Sequence, residues 1–316
     1  MSCCQTRRDF LHRTASAAAV GAAAGLVGPA AEILRAAQDH RPMRLAICNE
    51  TFGDWPFEKA CAVAAECGYT GIEIAPFTLA KYVTEIPAAR REELRKQAGR
   101  ANLQVVALHW LLAKTEGFLL TSPDAAVRRK TADYLVALTQ FCADLGGKVL
   151  VFGSPKQRNL LPGVGRAEGM KYAAEVLGTV VPALEKTGVV IALEPLGPKT
   201  TNFLTTAADA VELIDLVGSP RCRLHLDCLA MATEGTPIPE LIRKHRSLLV
   251  HFHANDPNGQ GPGFGQLDFR PIFKALREID YAGWVSVEVF DYKPGGERLA
   301  RDSMRYMRDC LARLDP

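Results

Sequence analysis

The sequence predicts an α/β fold, a single (β/α)₈ TIM barrel, on three observations. Eight short runs rich in β-branched and aliphatic residues recur along the chain, separated by Ala/Leu/Glu/Arg-rich segments with helical periodicity. Several of those segments end in Gly, where a helix needs its left-handed cap. The first run leads into "NETFGDWPF" and not into the Gly-rich phosphate loop that usually opens a doubly wound sheet. At 316 residues, 48% apolar and 23% charged, the chain can bury a full core.

The first run is "RLAIC" (44–48), followed by the helical "FEKACAVAAECG". The second, "GIEIA" (71–75), carries Glu73, which reads as an interior or structural acid. The third, "VVALH" (105–109), ends in His109 with Trp110 behind it, and "DAAVRRKTADYLVALTQFCADLGG" supplies the next helix. The fourth, "KVLVF" (148–152), opens into "GSPKQRN" with Lys156, Gln157 and Arg158. "VVIALE" (189–194) ends in Glu194, and "AADAVELIDLVG" is the helix that follows. "CRLHLD" (222–227) ends in Asp227, with His225 two residues deeper on the same face. "LLVHFH" (248–253) places His251 and His253 on one face, and "WVSVEV" (284–289) carries Glu288 ahead of Phe290. No repeat or linker divides the chain after its first forty residues.

In such a barrel the reactive groups stand at the carboxyl ends of strands, where the following loops surround the mouth. Glu194, Asp227, His253 and Glu288 therefore converge. Singly, each acid reads as a loop anchor or helix cap as readily as a ligand. Together, three carboxylates in an apolar setting repel one another and titrate upward unless a cation neutralises them. One imidazole with three carboxylates is a hard, oxygen-rich set, suited first to Mn²⁺ and also to Mg²⁺ or Co²⁺.

"LEP", "HLD", "HFHANDPNGQGPGFGQLDF" and "WVSVEV" resemble the sugar isomerase and epimerase group of xylose-isomerase-like barrels, which includes ketose 3-epimerases, hydroxypyruvate isomerase and inosose dehydratase. The likeness covers about residues 43–312. It implies that Glu194, Asp227, His253 and Glu288 are metal ligands and that Glu194 and Glu288 form an acid/base pair. The implied chemistry is an enediolate formed beside the metal, with a proton removed on one face and returned on the other. Loss of a β-hydroxyl from the same enediolate would make the enzyme a lyase acting on a keto-sugar or keto-glycoside. Where ketose epimerases carry a His three residues after the Asp, this chain has Ala230. Gly259 stands in place of their Arg, and Thr200 in place of a frequent Glu. The resemblance thus retains the metal shell while the substrate shell is rewritten. His109, Lys156, Gln157, Arg158 and Phe290 are the candidate replacement shell; Trp110 and Phe290 read as walls that stack on a sugar ring or pack.

Two other classes are weighed against this reading. An abasic-site endonuclease needs a trinuclear zinc cluster, and the seven histidines here, one of them at position 12, are too few. A non-catalytic sugar-binding barrel would hold no metal. With net charge +3 and no Lys/Arg stripe, nucleic acid is not expected as a partner; a small-molecule carbohydrate is, and a homo-oligomer is compatible.

The first forty residues differ from the rest. "TRRDFLHRTASAAAVGAAAGLVGPAAE" pairs Arg7 and Arg8 ahead of an Ala/Gly/Val-rich stretch, the twin-arginine export pattern. The expected division is a signal peptide over 1–31 and one barrel domain over 32–316, with a periplasmic mature protein outside the membrane. Export makes an unphosphorylated sugar the expected substrate, since free sugar phosphates are scarce outside the cytoplasm. Cys3 and Cys4 fall in the signal. The other seven cysteines are odd in number, lack zinc spacing and read as small core residues.

Overall fold

A computed structural model describes residues 42–314. The expected signal segment, Cys3, Cys4 and the expected boundary at residue 31 lie outside the described residues. The strands β1 (Arg44–Cys48), β2 (Gly71–Ile74), β3 (Gln104–Leu108), β4 (Val149–Phe152), β5 (Val190–Leu193), β6 (Cys222–Asp227), β7 (Leu249–Ala254) and β8 (Trp284–Val287) pair in sequence order into a closed barrel. All eight pairings are parallel, and β8 returns to β1 through Leu45↔Val285 and Ala46↔Ser286.

The connecting helices follow the predicted segments: α1 (Phe57–Cys67), α2 (Ala88–Arg100), α3 (Ala125–Asp144), α4 (Arg166–Thr187), α5 (Ala207–Val217), the short α6 (Cys228–Met231) and α7 (Ile238–Lys244), then α8 (Arg270–Glu278) and α9 (Gly296–Ala312). α1, α4 and α5 end at Gly68, Gly188 and Gly218 in the left-handed conformation, as their sequences predict. α5 begins with a reciprocal cap in which Thr206 and Asp209 each bond the other's backbone N–H.

The main core lies between the barrel and its helices, with Phe141, Phe152, Phe252 and Phe273 among its fully buried members. A second, smaller cluster of Ala46, Val106, Val151, Ala192 and Trp284 is built from strand residues. Gly71 makes room for the Trp284 indole, because a Cβ there would lie 2.7 Å from its ring. The seven described cysteines are buried and unpaired. Among the described residues no helix is long and apolar enough to cross a membrane.

Candidate active site

The strand ends deliver the polar groups to one place. Asp227 and His253 are register partners in β6 and β7. Glu194 and Glu288 each lie one residue beyond their strands, and both are buried. Glu194, His225, Asp227 and His253 each place one ligand atom within 4.8 Å of the others. Glu288 joins through His253, whose Nδ1 is 2.9 Å from Glu288 Oε2. The four residues singled out in the sequence therefore cluster at the carboxyl ends of the strands.

Each side chain is held by neighbours. Asp227 accepts from the Ala230 N–H at 2.8 Å and from Asn255 Nδ2 at 2.5 Å. The Glu194 carboxylate occupies space that only a glycine leaves open, since a Cβ on Gly153 would lie 2.1 Å from Oε2. His109 spans two acids, with Nδ1 3.1 Å from Glu288 Oε1 and Nε2 2.9 Å from Glu50 Oε2. Below them, Glu73 bridges two imidazoles: Oε2 is 2.8 Å from His251 Nε2 and Oε1 is 3.2 Å from His253 Nε2.

Burial and charge push these groups apart in acidity. Burial, with Glu288 and Asp227 nearby, raises Glu194 to about 8. Burial and Glu288 raise Asp227 to about 6. Burial pushes Glu288 upward too, but His253 and His109 outweigh it and hold the carboxyl at about 2. His253 resists burial in the same way, and Glu288 and Glu73 raise it well above the usual imidazole value.

This donor set fits a divalent cation. Two carboxylates are raised by burial and by the neighbouring Glu288, and both ring nitrogens of His225 are buried without a hydrogen-bond partner. Glu194, Asp227, His253 and Glu288 would hold the ion, with His225 at its inner side.

Glu50 was not singled out by the sequence, although an acid near a strand end is the signal that flagged the others. It sits two residues past β1, in the turn Asn49–Phe52. Asn255 and the bridging contacts of Glu73 had no sequence signal of their own. His225 reads from sequence as a satisfied interior histidine; it is interior, yet its nearest acid, Glu194 Oε1, is 3.7 Å away.

The candidate substrate shell divides. His109 is buried within the site. Lys156 and Gln157 line a cavity of about 990 Å³ together with Glu50, Phe77, Trp110 and Tyr292. Phe290 is exposed and its ring lies 6.1 Å from that of Trp110. Arg158 departs from expectation. It is fully buried, with its guanidinium donating to the carbonyls of Phe152, Glu194 and Leu204. Those carbonyls, at the ends of β4 and β5 and in the following loop, draw the side chain inward because buried carbonyls need donors.

The loop 255–269, Gly-rich after the two histidines, is held by polar contacts of its own. Asp256 accepts from the Gly265 and Leu267 N–H groups, and the Gly259 carbonyl accepts from both Phe290 and Asp291. The chain thus ties the loop after β7 to the loop after β8.

A family model described as a xylose isomerase-like TIM barrel matches residues 61–310. A probable ketose 3-epimerase of Synechocystis sp. is 27% identical over 262 residues, covering 78% of this chain and 88% of the relative. An L-ribulose 3-epimerase of Methylomonas sp. is 28% identical over 241 residues, covering 75% and 81%. The structure of a 3-keto-D-glucoside 4-epimerase from E. coli superposes with a TM-score of 0.74 at 22% identity, covering 85% of this chain and 100% of that one, and bears on the fold alone.

Proposed function

This chain belongs to the xylose isomerase-like TIM barrel family, and on that premise we propose that it is a divalent-metal-dependent sugar epimerase with Glu194 and Glu288 as its acid/base pair. The convergence of Glu194, Asp227 and Glu288 around His253 carries the proposal. The sugar epimerases among its relatives support the reaction class.

When bound, the cation, Mn²⁺ by preference of the donor set, polarises a carbonyl and stabilises the negative charge that appears when the adjacent carbon loses its proton. The chain's own residues do the rest. Glu194 and Glu288 enter from β5 and β8, three strands apart, so a carbon held between them meets one carboxylate on each side. One takes the proton and the other returns one to the opposite face, which inverts the centre. Glu288 is aimed by two imidazoles, His109 and His253. Asp227 is fixed by Asn255 and the Ala230 N–H and stays a ligand.

The Arg7–Arg8 segment supports export to the periplasm, where an unphosphorylated sugar is the substrate class. The test is to incubate Mn²⁺-loaded protein with free ketoses and ring-oxidised glycosides in D₂O and follow carbon-bound deuterium by NMR. Incorporation with epimer formation is expected. Absence of exchange across the whole panel, on protein shown to hold metal, would overturn the proposal.

A further inference from the structure

The cavity outside Glu50 is larger than the metal cluster needs. Its volume of about 990 Å³ lies at the top of the roughly 300–1,000 Å³ range of small-molecule pockets, and its lining includes neither Glu194 nor Glu288. Glu50 connects the two spaces: it lines the cavity and bonds His109, which bonds Glu288.

The walls are built for a flat, hydroxyl-bearing ligand. Phe77, Trp110 and Tyr292 come from the loops after β2, β3 and β8, and Tyr292 is 43% exposed. Trp110 is braced edge-on by Phe77 at 6.4 Å and by Phe290 at 6.1 Å. On the β4 side, the side chains of Lys156 and Gln157 have no partner among the described residues, while the Gln157 carbonyl is tied to the Leu120 N–H at 2.8 Å. Aromatic faces pack the C–H groups of a sugar ring, and the free amide and ammonium serve its hydroxyls.

Backbone strain marks the same wall. Trp110 has φ 51° and Ser154 has φ 32°, left-handed positions that a glycine would occupy at less cost. The Ser154 hydroxyl accepts from the Leu112 N–H at 3.1 Å, so each strained turn supports the other. A chain that keeps a tryptophan in such a turn gains the placement of the ring.

We propose that this cavity is a subsite for a second sugar ring and that the substrate is a glycoside of at least two rings, not a free monosaccharide. The assignment rests on the epimerase reading for the orientation of the substrate, with the reacting ring inward. Binding is measured separately from turnover, by titration calorimetry of the Mn²⁺-loaded full chain with maltose, cellobiose, trehalose and glucose. At least one disaccharide is expected to bind tenfold or more tightly than glucose. Trp110→Ala, Phe77→Ala and the exposed Tyr292→Ala, each checked for folding by thermal melting, are expected to bring that ratio within twofold. Disaccharides that all bind within twofold of glucose, or an advantage that survives every variant, would overturn the subsite. A disaccharide advantage without deuterium exchange in any sugar would keep the subsite and overturn the epimerase reading. Efficient exchange of a free ketose, with every disaccharide bound within twofold of glucose, would do the reverse.

Discussion

Glu73 Oε1 lies 3.2 Å from His253 Nε2 in the barrel interior, with both side chains fully buried. The other Glu73 oxygen is anchored on His251 at 2.8 Å, so the carboxylate cannot swing away. With a proton on Nε2 facing Glu73, Nδ1, which lies 2.9 Å from Glu288 Oε2, is the nitrogen that would ligate a cation. Carboxylate–histidine pairs of this kind typically contribute ~10–100-fold to metal affinity. Glu73→Gln is therefore expected to weaken Mn²⁺ binding by about that factor, read by calorimetry. The His253 ¹⁵N shifts should report a changed tautomer balance; an unchanged affinity would assign Glu73 to packing alone.

Glu194→Gln and Glu288→Gln are expected to lower turnover by about 10²–10⁴-fold, the usual contribution of a positioned acid or base. Fold should persist in both, since glutamine keeps the volume of the side chain. Wild-type rates in either variant would remove that residue from proton transfer. Single-turnover deuterium exchange separates the two roles: loss of only one face of exchange identifies the residue serving it.

The metal-free chain should become less stable as pH rises from about 4.5, the ordinary glutamate value, to about 8. Glu194, raised to about 8 by burial and neighbouring acids, holds its proton more tightly folded than unfolded. Its stabilisation is present at lower pH and is lost as pH rises through about 8. His253 is raised by Glu288 and Glu73 against the effect of burial, and its contribution is likewise lost on the alkaline side. Melting temperature should fall over this window, and the stabilisation by added Mn²⁺ should grow, because binding must displace fewer protons. In Glu194→Gln the slope should flatten; a slope identical to wild type would contradict the assignment.

Gly153→Ala is a compact test of the site's shape. The added methyl would meet Glu194 Oε2 at 2.1 Å, so the carboxylate must leave its place. Metal affinity and turnover are expected to fall together while far-ultraviolet circular dichroism stays the same. A variant that retains metal affinity would show that Glu194 has a second productive position.

Much of this molecule is legible in its sequence because aliphatic runs of four to six residues separated by amphipathic segments have few other ways to bury their faces. Acids that terminate such runs stand out, and Glu194, Asp227 and Glu288 are found that way. Glu50 escapes because a short turn carries it past the end of β1, beyond the run that draws attention. The Glu73–His251–His253 contacts join β2 to β7, and no local pattern tells which distant side chain will face a buried charge. Arg158 misleads for a related reason: "PKQR" reads as a loop whose polar side chains face the substrate, and only the closed barrel reveals carbonyls that require the Arg158 donors.

The seam between β1 and β8 closes the barrel, and Glu288 stands one residue beyond that same last strand. One strand therefore supplies both the closing seam and the last of the clustered acids. A substitution that loosens β8 from β1 is thereby expected to shift Glu288 together with the seam.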